Sequence, residues 1–167
     1  MTRSQDFDTF FTTHYGPMVR TLTLIGGDRE AAADSVQDAF VRAHARWRRV
    51  SRYDAPAAWV RKVAINRLRD MKRSETRRQR REDRVAGAPS SSPSDPVTLD
   101  ADLLSTVGSL PEQQKTAIAL HYLEDLSVDE VAHIMGLSSG AVKYHLHEGR
   151  KKLEPQLRTA RLGGDDD

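Results

Sequence analysis

The side chains best suited to contact a ligand lie near the C-terminal end of the chain, in the stretch GAVKYHLHEGRKK that begins at Gly140. Lys, Tyr, His and Glu recur there on one face of a helix, and such groups can bond to base edges in a DNA major groove. The Arg and Lys side chains that come next in the sequence are well suited to bind phosphate oxygens. The pattern predicts a nucleic-acid contact made by Ser139, Gly140, Lys143, Tyr144, His147, Glu148, Arg150 and Lys151.

Two short helices joined by a tight turn are predicted to position this face. Ser127 and Glu130 have the S-x-x-E spacing of a capping box, Gly136 is placed to end the first helix, and Ser138 or Ser139 can cap the second. The inner, apolar face of the second helix consists of Val142, Leu146, Gly149 and Leu153. The pattern is typical of a helix-turn-helix, and a plain amphipathic pair of helices is the alternative.

A second candidate contact is the stretch from Arg61 to Arg84, which has eleven Lys or Arg against four acids. This excess predicts either a phosphate-facing stripe or a solvated helix with internal ion pairs. The helix is predicted to start at Asp54 with Pro56 in its first turn, and Asn66 lies within it. Because an Asn side chain competes for backbone hydrogen bonds, Asn66 either bonds a neighbouring helix or reads a ligand. The core stripe of this helix comprises Val60, Ala64, Leu68 and Met71.

A third candidate surface belongs to a helix that Asp28 caps and that is predicted to run to about Trp47. Its buried stripe comprises Ala32, Val36, Ala39, Phe40, Ala43 and Trp47. The opposite face mixes acidic and apolar side chains, which suits a protein partner better than DNA. An ordinary solvated face is the alternative. The residues of the predicted protein contact are Asp34, Gln37, Asp38, Val41 and Arg42.

Composition limits the class of protein. The 167 residues allow one ordinary domain or two small ones, and the absence of Cys excludes disulfides and thiolate chemistry. The Pro- and Ser-rich segment 85–98 predicts a flexible linker between helical units at 5–84 and 99–160, so the fold class is all-α. Further helices are predicted around 100–107 and from Pro111 to about Tyr122.

Several functions are not expected. The chain has no run of 18 apolar residues and no signal-peptide pattern at its N-terminus, so a cytoplasmic protein without membrane insertion is expected. His145 and His147 point apart on a helix, which argues against a metal site. Paired carboxylates and Gly-rich phosphate loops are missing from the sequence, so we predict no cofactor and no enzymatic activity.

Taken in order, these stretches resemble the ECF (extracytoplasmic function) group of sigma factors, the promoter-recognition subunits of bacterial RNA polymerase. The stretch DSVQDAFVRAHARW at 34–47 resembles the domain 2 helix that binds the beta-prime clamp, and WVRKVAINRLRDMKR at 59–73 resembles the segment that opens the promoter. The region at 110–153 resembles domain 4, which reads the −35 element. The resemblance implies a −10 contact made by Trp59, Arg61, Lys62, Asn66, Arg67 and Arg69.

The resemblance is incomplete in the second helix of the helix-turn-helix. The family commonly has T-V-K-S-R-L-x-R-A-R where this chain has AVKYHLHEGR, so five residues depart from the pattern: Ala141, Tyr144, His145, Glu148 and Gly149. The −35 sequence that typical members recognise therefore cannot be assigned to this chain. Glu148 is a candidate to accept from a cytosine amino group.

The resemblance also implies the partners: core polymerase through its beta-prime clamp and beta flap, promoter DNA, and an anti-sigma protein that binds between the two domains. Promoter elements about 25 bp apart are separated by about 85 Å of B-DNA. Segment 85–98 spans about 20 Å as a relaxed coil and about 46 Å fully extended, so the polymerase must hold the domains apart. A stand-alone dimeric regulator is the rival hypothesis, but the sequence contains no dimerisation or sensor domain.

Overall fold

The computed structural model describes residues 3–83 and 101–162, all of whose regular structure is helical. The predicted linker, 85–98, lies outside these residues. Within them the all-α prediction is confirmed. The helices are α1 (Arg3–Gly26), α2 (Arg29–Ala45), α3 (Trp47–Val50), α4 (Pro56–Glu82), α5 (Ala101–Ser109), α6 (Glu112–Leu123), α7 (Val128–Met135) and α8 (Ser139–Leu162).

In the N-terminal part, α2 packs against both α1 and α4. As predicted, Asp28 caps α2, because its Oδ1 accepts hydrogen bonds from the backbone N–H groups of Glu30 (2.9 Å) and Ala31 (3.4 Å). The predicted stripes of α2 and α4 line the core, except that Trp47 and Met71 are only partly buried. Aromatic rings from α1 complete this core around Phe40, which lies 5.0 Å from Phe11 between ring centroids.

Two predicted boundaries are wrong by about two residues. Helix α2 ends at Ala45 rather than near Trp47, because Arg46 leaves the helical conformation and the chain restarts as α3. The Trp47 ring then packs against Phe7 and Phe10, at centroid distances of 5.3 Å and 5.0 Å. Helix α4 starts at Pro56 and not at Asp54, with proline at its first position, where the missing N–H costs nothing.

In the C-terminal part, the predicted capping devices are confirmed. Ser127 and Glu130 bond reciprocally, with the Ser127 N–H donating to Glu130 Oε2 at 2.7 Å. Gly136 ends α7 in the left-handed conformation (φ 67°), which glycine adopts without steric cost. Ser138 caps α8, since its Oγ accepts from the Ala141 N–H at 3.1 Å. The helix-turn-helix is thus fixed locally on both sides of its turn.

The two parts of the chain contact each other directly. Helix α1 packs against α5 and α6, and α4 packs against α7. Two ion pairs join α4 to the ends of α6: Arg61 Nε lies 2.9 Å from Glu124 Oε1, and Arg69 Nε lies 2.8 Å from Glu112 Oε1. The described structure is therefore a closed arrangement of the two helical units.

Candidate nucleic-acid interface

The outer face of α8 carries the predicted DNA-contacting residues to the surface. Lys143, Tyr144 and His147 are exposed, and 59% of Tyr144 is accessible although it is a large aromatic residue. The predicted inner face is buried in full, with Val142 and Leu146 inaccessible or nearly so. Burial of one face therefore orients the other toward solvent. This polar face can bond to base edges without any change in the packing of α8.

Neighbouring residues hold both ends of this face. At the start of α8, Ser139 Oγ donates a 2.6 Å hydrogen bond to Asp129 Oδ1 of α7. Further along, Glu148 is paired with Lys151 across one turn, with a separation of 3.5 Å. A Glu148 that is already paired in this way would have to exchange Lys151 for a cytosine amino group in order to read a base.

Asn66 and Arg67 are exposed on α4. The Asn66 side chain forms no hydrogen bond with any other described residue. The sequence allowed either a bond from Asn66 to a neighbouring helix or a contact with a ligand. The bond to a neighbouring helix is not observed in the described part of the chain. Asn66 is positioned to meet a ligand that approaches from solvent.

Arg61 lies in a different environment from the one the resemblance implies. It is only 8% exposed, because it points into the boundary with the C-terminal part and pairs with Glu124. Trp59 and Lys62 line an open cleft of about 670 Å³ between α4 and α7, across from Asp129 and Glu130. The predicted −10 residues are therefore divided. Asn66 and Arg67 are accessible away from the other helical unit, whereas Trp59, Arg61, Lys62 and Arg69 face that unit, although Lys62 remains exposed.

The predicted protein-binding face on α2 is also exposed. Val41, an apolar side chain, is 62% accessible and lies at the rim of a groove of about 340 Å³ between α1 and α2. Asp38 Oδ2 lies 3.2 Å from Arg42 Nε and 3.8 Å from Arg67 Nε, so this carboxylate is flanked by two guanidinium groups. The remaining groove residues are Phe7, Phe11, Tyr15, Gln37, Phe40 and His44.

Two pKa values are shifted near the boundary between the helical units. Burial, with a smaller contribution from the Arg61 charge, lowers the pKa of His14. Burial likewise lowers the pKa of Lys115, and the neighbouring Lys72 ammonium adds to this effect while Glu112 opposes it. Burial is thus the main cause of both shifts, and the positive charges of Arg61 and Lys72 add to it.

Sequence reasoning missed several residues of these surfaces. Phe7, Phe11 and Tyr15 recur every four residues, so an aromatic stripe on α1 could have been recognised from spacing alone. Glu112 and Glu124 gave no comparable signal. Their arginine partners lie 43 and 63 positions away in sequence, beyond any local pattern.

Among the described residues there is no group of three or more His, Cys, Asp or Glu that could hold a metal ion. Nor does any helix in 3–83 or 101–162 combine the length and apolar character that crossing a membrane requires.

A helix-turn-helix unit packed beside a second helical unit with a basic helix defines a two-domain DNA-binding protein. Residues 10–78 match the family described as Sigma-70 region 2, and residues 100–153 match Sigma-70, region 4. The chain belongs to the sigma-70 family of RNA polymerase sigma factors, within the ECF group. It is therefore a non-enzymatic specificity subunit of transcription initiation, whose partners are core polymerase and promoter DNA.

Relatives extend over most of the chain. It is similar to the RNA polymerase sigma-E factor of Streptomyces avermitilis, at 28% identity over 162 residues that cover 94% of this chain and 88% of that protein. It is also similar to the ECF RNA polymerase sigma factor SigW of Bacillus subtilis, at 28% identity over 149 residues covering 79% of this chain and 78% of that protein.

Solved structures share the fold. The sigma factor RpoE of Bartonella quintana, crystallised with the anti-sigma factor NepR, has a TM-score of 0.77 at 22% identity. The match covers 92% of this chain and 98% of that one. CnrH, solved in complex with the cytosolic domain of CnrY, has a TM-score of 0.64 at 24% identity and covers 93% of this chain and 90% of that one.

Proposed function

We propose that this sigma factor divides its work between two domains joined by the linker 85–98. Residues 5–84 dock on core polymerase and read the −10 element, and residues 99–160 read the −35 element through α8. The observation that carries the proposal is the polar outer face of α8, exposed on a helix whose opposite face is buried. Because it acts with the polymerase, we place the protein in the cytoplasm.

The assignment of residues follows exposure and charge. Lys143, Tyr144, His147 and Glu148 are proposed to meet base edges, and Ser139, Gly140, Arg150 and Lys151 to meet the sugar-phosphate backbone. In domain 2, Asn66 is proposed to read a base, and Arg67 and Arg69 to contact phosphates. Trp59 and Arg61 join this surface only after α7 moves away from α4, and Arg69 only after its ion pair with Glu112 opens, whereas Lys62 is already exposed.

A run-off transcription assay tests this proposal. The chain is added to core polymerase on a library of genomic promoter fragments, and transcripts are expected from fragments that share one pair of sequence elements. Lys143→Ala should reduce these transcripts, whereas Arg20→Ala, which removes an exposed charge on α1, should leave them unchanged. Transcription that does not depend on the added chain would refute the proposal.

Docking on core polymerase is proposed to use Asp34, Gln37, Asp38, Val41 and Arg42. An exposed apolar residue beside an aromatic groove, with acids around it, suits a partner surface that is apolar and basic. Core affinity should therefore fall for Val41→Asp and for Asp38→Arg. Asp70→Arg provides a matched control, because it makes the same charge change on the exposed surface of α4. Unchanged core affinity for Val41→Asp would remove this assignment.

An anti-sigma protein is proposed to cover the same face. RpoE and CnrH, which share the fold, were each solved with a second protein, and for RpoE that protein is an anti-sigma factor. In this chain the groove between α1 and α2 is open and largely apolar, so a helix with an apolar face could enter it. If core polymerase and the anti-sigma protein share the face, Asp38→Arg weakens both complexes.

A further inference from the structure

Helix α6, which lies outside the helix-turn-helix, makes a regular set of contacts with α8. Gln114, Ile118 and Tyr122 are spaced four residues apart and therefore form one stripe along α6. Tyr122 OH accepts a 3.0 Å hydrogen bond from Arg150 Nη1. One helical turn before Ile118, Gln114 Oε1 accepts a 3.2 Å hydrogen bond from Lys152 Nζ. Two cations of α8 are thus held by one stripe of α6.

Gly149 allows the two helices to approach this closely. A Cβ atom at this position would lie 2.9 Å from Ile118 Cγ1 and 3.8 Å from Gln114 Cβ. Since real Cβ atoms almost never come within 3.0 Å of another heavy atom, a larger residue would push α8 away from α6. The glycine therefore brings the backbone beside Arg150 within reach of Tyr122.

The bonded cations keep most of their donors. A guanidinium group has five N–H donors and an ammonium group has three, so the bonds to Tyr122 and Gln114 leave donors for another acceptor. Arg150 and Tyr122 are both exposed, and half of the Tyr122 surface is accessible. An arginine that is free to rotate loses side-chain entropy on binding, whereas one already held in place loses less.

We propose that α6 positions Arg150 and Lys152 for contacts with DNA phosphates, and that Tyr122 is the positioning residue for Arg150. The inference rests on the proposed contact between α8 and DNA, and it assigns roles to Tyr122, Gln114 and Lys152. Tyr122 acts through Arg150 and does not itself contact the phosphate. Removing its hydroxyl therefore weakens DNA binding only while Arg150 is present.

A double-mutant cycle on the full chain tests this. Binding of a random-sequence 25-bp duplex is followed by fluorescence anisotropy at several KCl concentrations, because phosphate contacts do not depend on sequence. Tyr122→Phe should weaken binding about threefold to tenfold, as expected when one more rotamer-rich side chain, Arg150, must be ordered on binding. It should also reduce the slope of log affinity against log salt by up to about 0.9, the value for one phosphate. Gln113→Ala, on an exposed position next to the stripe, is the control and should change neither quantity.

The Arg150→Ala background separates the outcomes. If Tyr122→Phe has no effect there, Tyr122 acts through Arg150 and the proposal holds. An equal loss in both backgrounds would mean that Tyr122 contacts DNA directly, which overturns the positioning role. If Arg150→Ala itself leaves affinity unchanged while run-off transcription proceeds, this inference fails and the proposed function stands.

Discussion

Asn66 gives the sharpest test at the scale of a single residue. Its amide is exposed on α4 and is not used by other described residues, so replacing it should cost little stability. If Asn66 reads a base, its contact contributes about 1–3 kcal/mol to discrimination between bases. Asn66→Ala should then reduce transcription from cognate promoters roughly fivefold to a hundredfold. Run-off transcription at subsaturating promoter measures this, and core affinity should stay at the wild-type value.

Gln79→Ala is the matched control for Asn66→Ala, because it removes another exposed amide from the same helix. Equal transcription from both variants would assign Asn66 to the solvated surface. A fall in melting temperature for Asn66→Ala would instead indicate a structural hydrogen bond.

Single residues also show which properties can be predicted from the sequence and which cannot. A special role for Asn66 can be predicted because Asn is unfavourable within a helix, which is a local property of the sequence. The environment of Arg61 could not be read in this way. Its burial depends on Glu124, which is 63 positions away and approaches only because the two helical units pack together. A special role for an unusual residue could therefore be predicted from the sequence, but the accessibility of a residue in the folded chain could not.

At the scale of elements, the contact between α6 and α8 at Gly149 predicts a change in stability. Gly149→Ala gains up to about 1 kcal/mol in helix propensity, but overpacking against Ile118 costs about 1–3 kcal/mol. Ile118 is buried and β-branched, so it cannot easily move aside. We expect a net loss of about 1 kcal/mol, measured by urea denaturation.

Gly108→Ala in α5 is the control, because a Cβ there meets nothing within 4 Å. It should stabilise the chain by up to about 1 kcal/mol. In an Ile118→Ala background the cost of Gly149→Ala should largely disappear. A cost that persists there would mean that overpacking is not its cause.

Local signals account for most of the elements that were predicted correctly. The capping box at Ser127 and Glu130 and the glycine at 136 require only short-range chemistry, and the structure contains both devices. The end of α2 was placed wrongly because Trp47 extends the apolar period of the helix. The aromatic cluster with Phe7 and Phe10 decides the position of that ring, and α3 follows from it. Tertiary packing thus overrides the period at that point.

At the scale of the whole molecule, the closed arrangement places a buried ion pair between the two helical units. The Arg61 and Glu124 side chains are 10% and 2% exposed, and Glu124 Oε2 has no hydrogen-bond partner among the described residues. Removing one partner from such a pair leaves a buried charge uncompensated, which typically costs about 3–5 kcal/mol. Separating the domains relieves that cost, because Arg61 then becomes hydrated.

Glu124→Gln should therefore shift the free protein toward an open arrangement. We expect the open population to rise at least about tenfold, which corresponds to about 1.4 kcal/mol. Because the sequence contains no Cys, dyes can be attached specifically to Glu30→Cys and Gln113→Cys, two exposed positions, and energy transfer between them should decrease on opening. Salt-sensitive binding of duplex DNA by the free chain should strengthen, since opening exposes Trp59 and Arg61 and removes Asp129 and Glu130 from opposite Lys62.

The second ion pair between α4 and α6 provides the control for Glu124→Gln. Arg69 and Glu112 are separated by 2.8 Å, but their side chains are 29% and 60% exposed. Exposed pairs contribute about 0–1 kcal/mol, so Glu112→Gln should leave both energy transfer and DNA affinity close to the wild type. If Glu124→Gln gives the same energy transfer and DNA affinity as Glu112→Gln, the buried pair does not stabilise the closed arrangement. A larger effect from Glu124→Gln alone would show that burial of this one pair, rather than the total number of interdomain charges, holds Trp59 and Arg61 against α7.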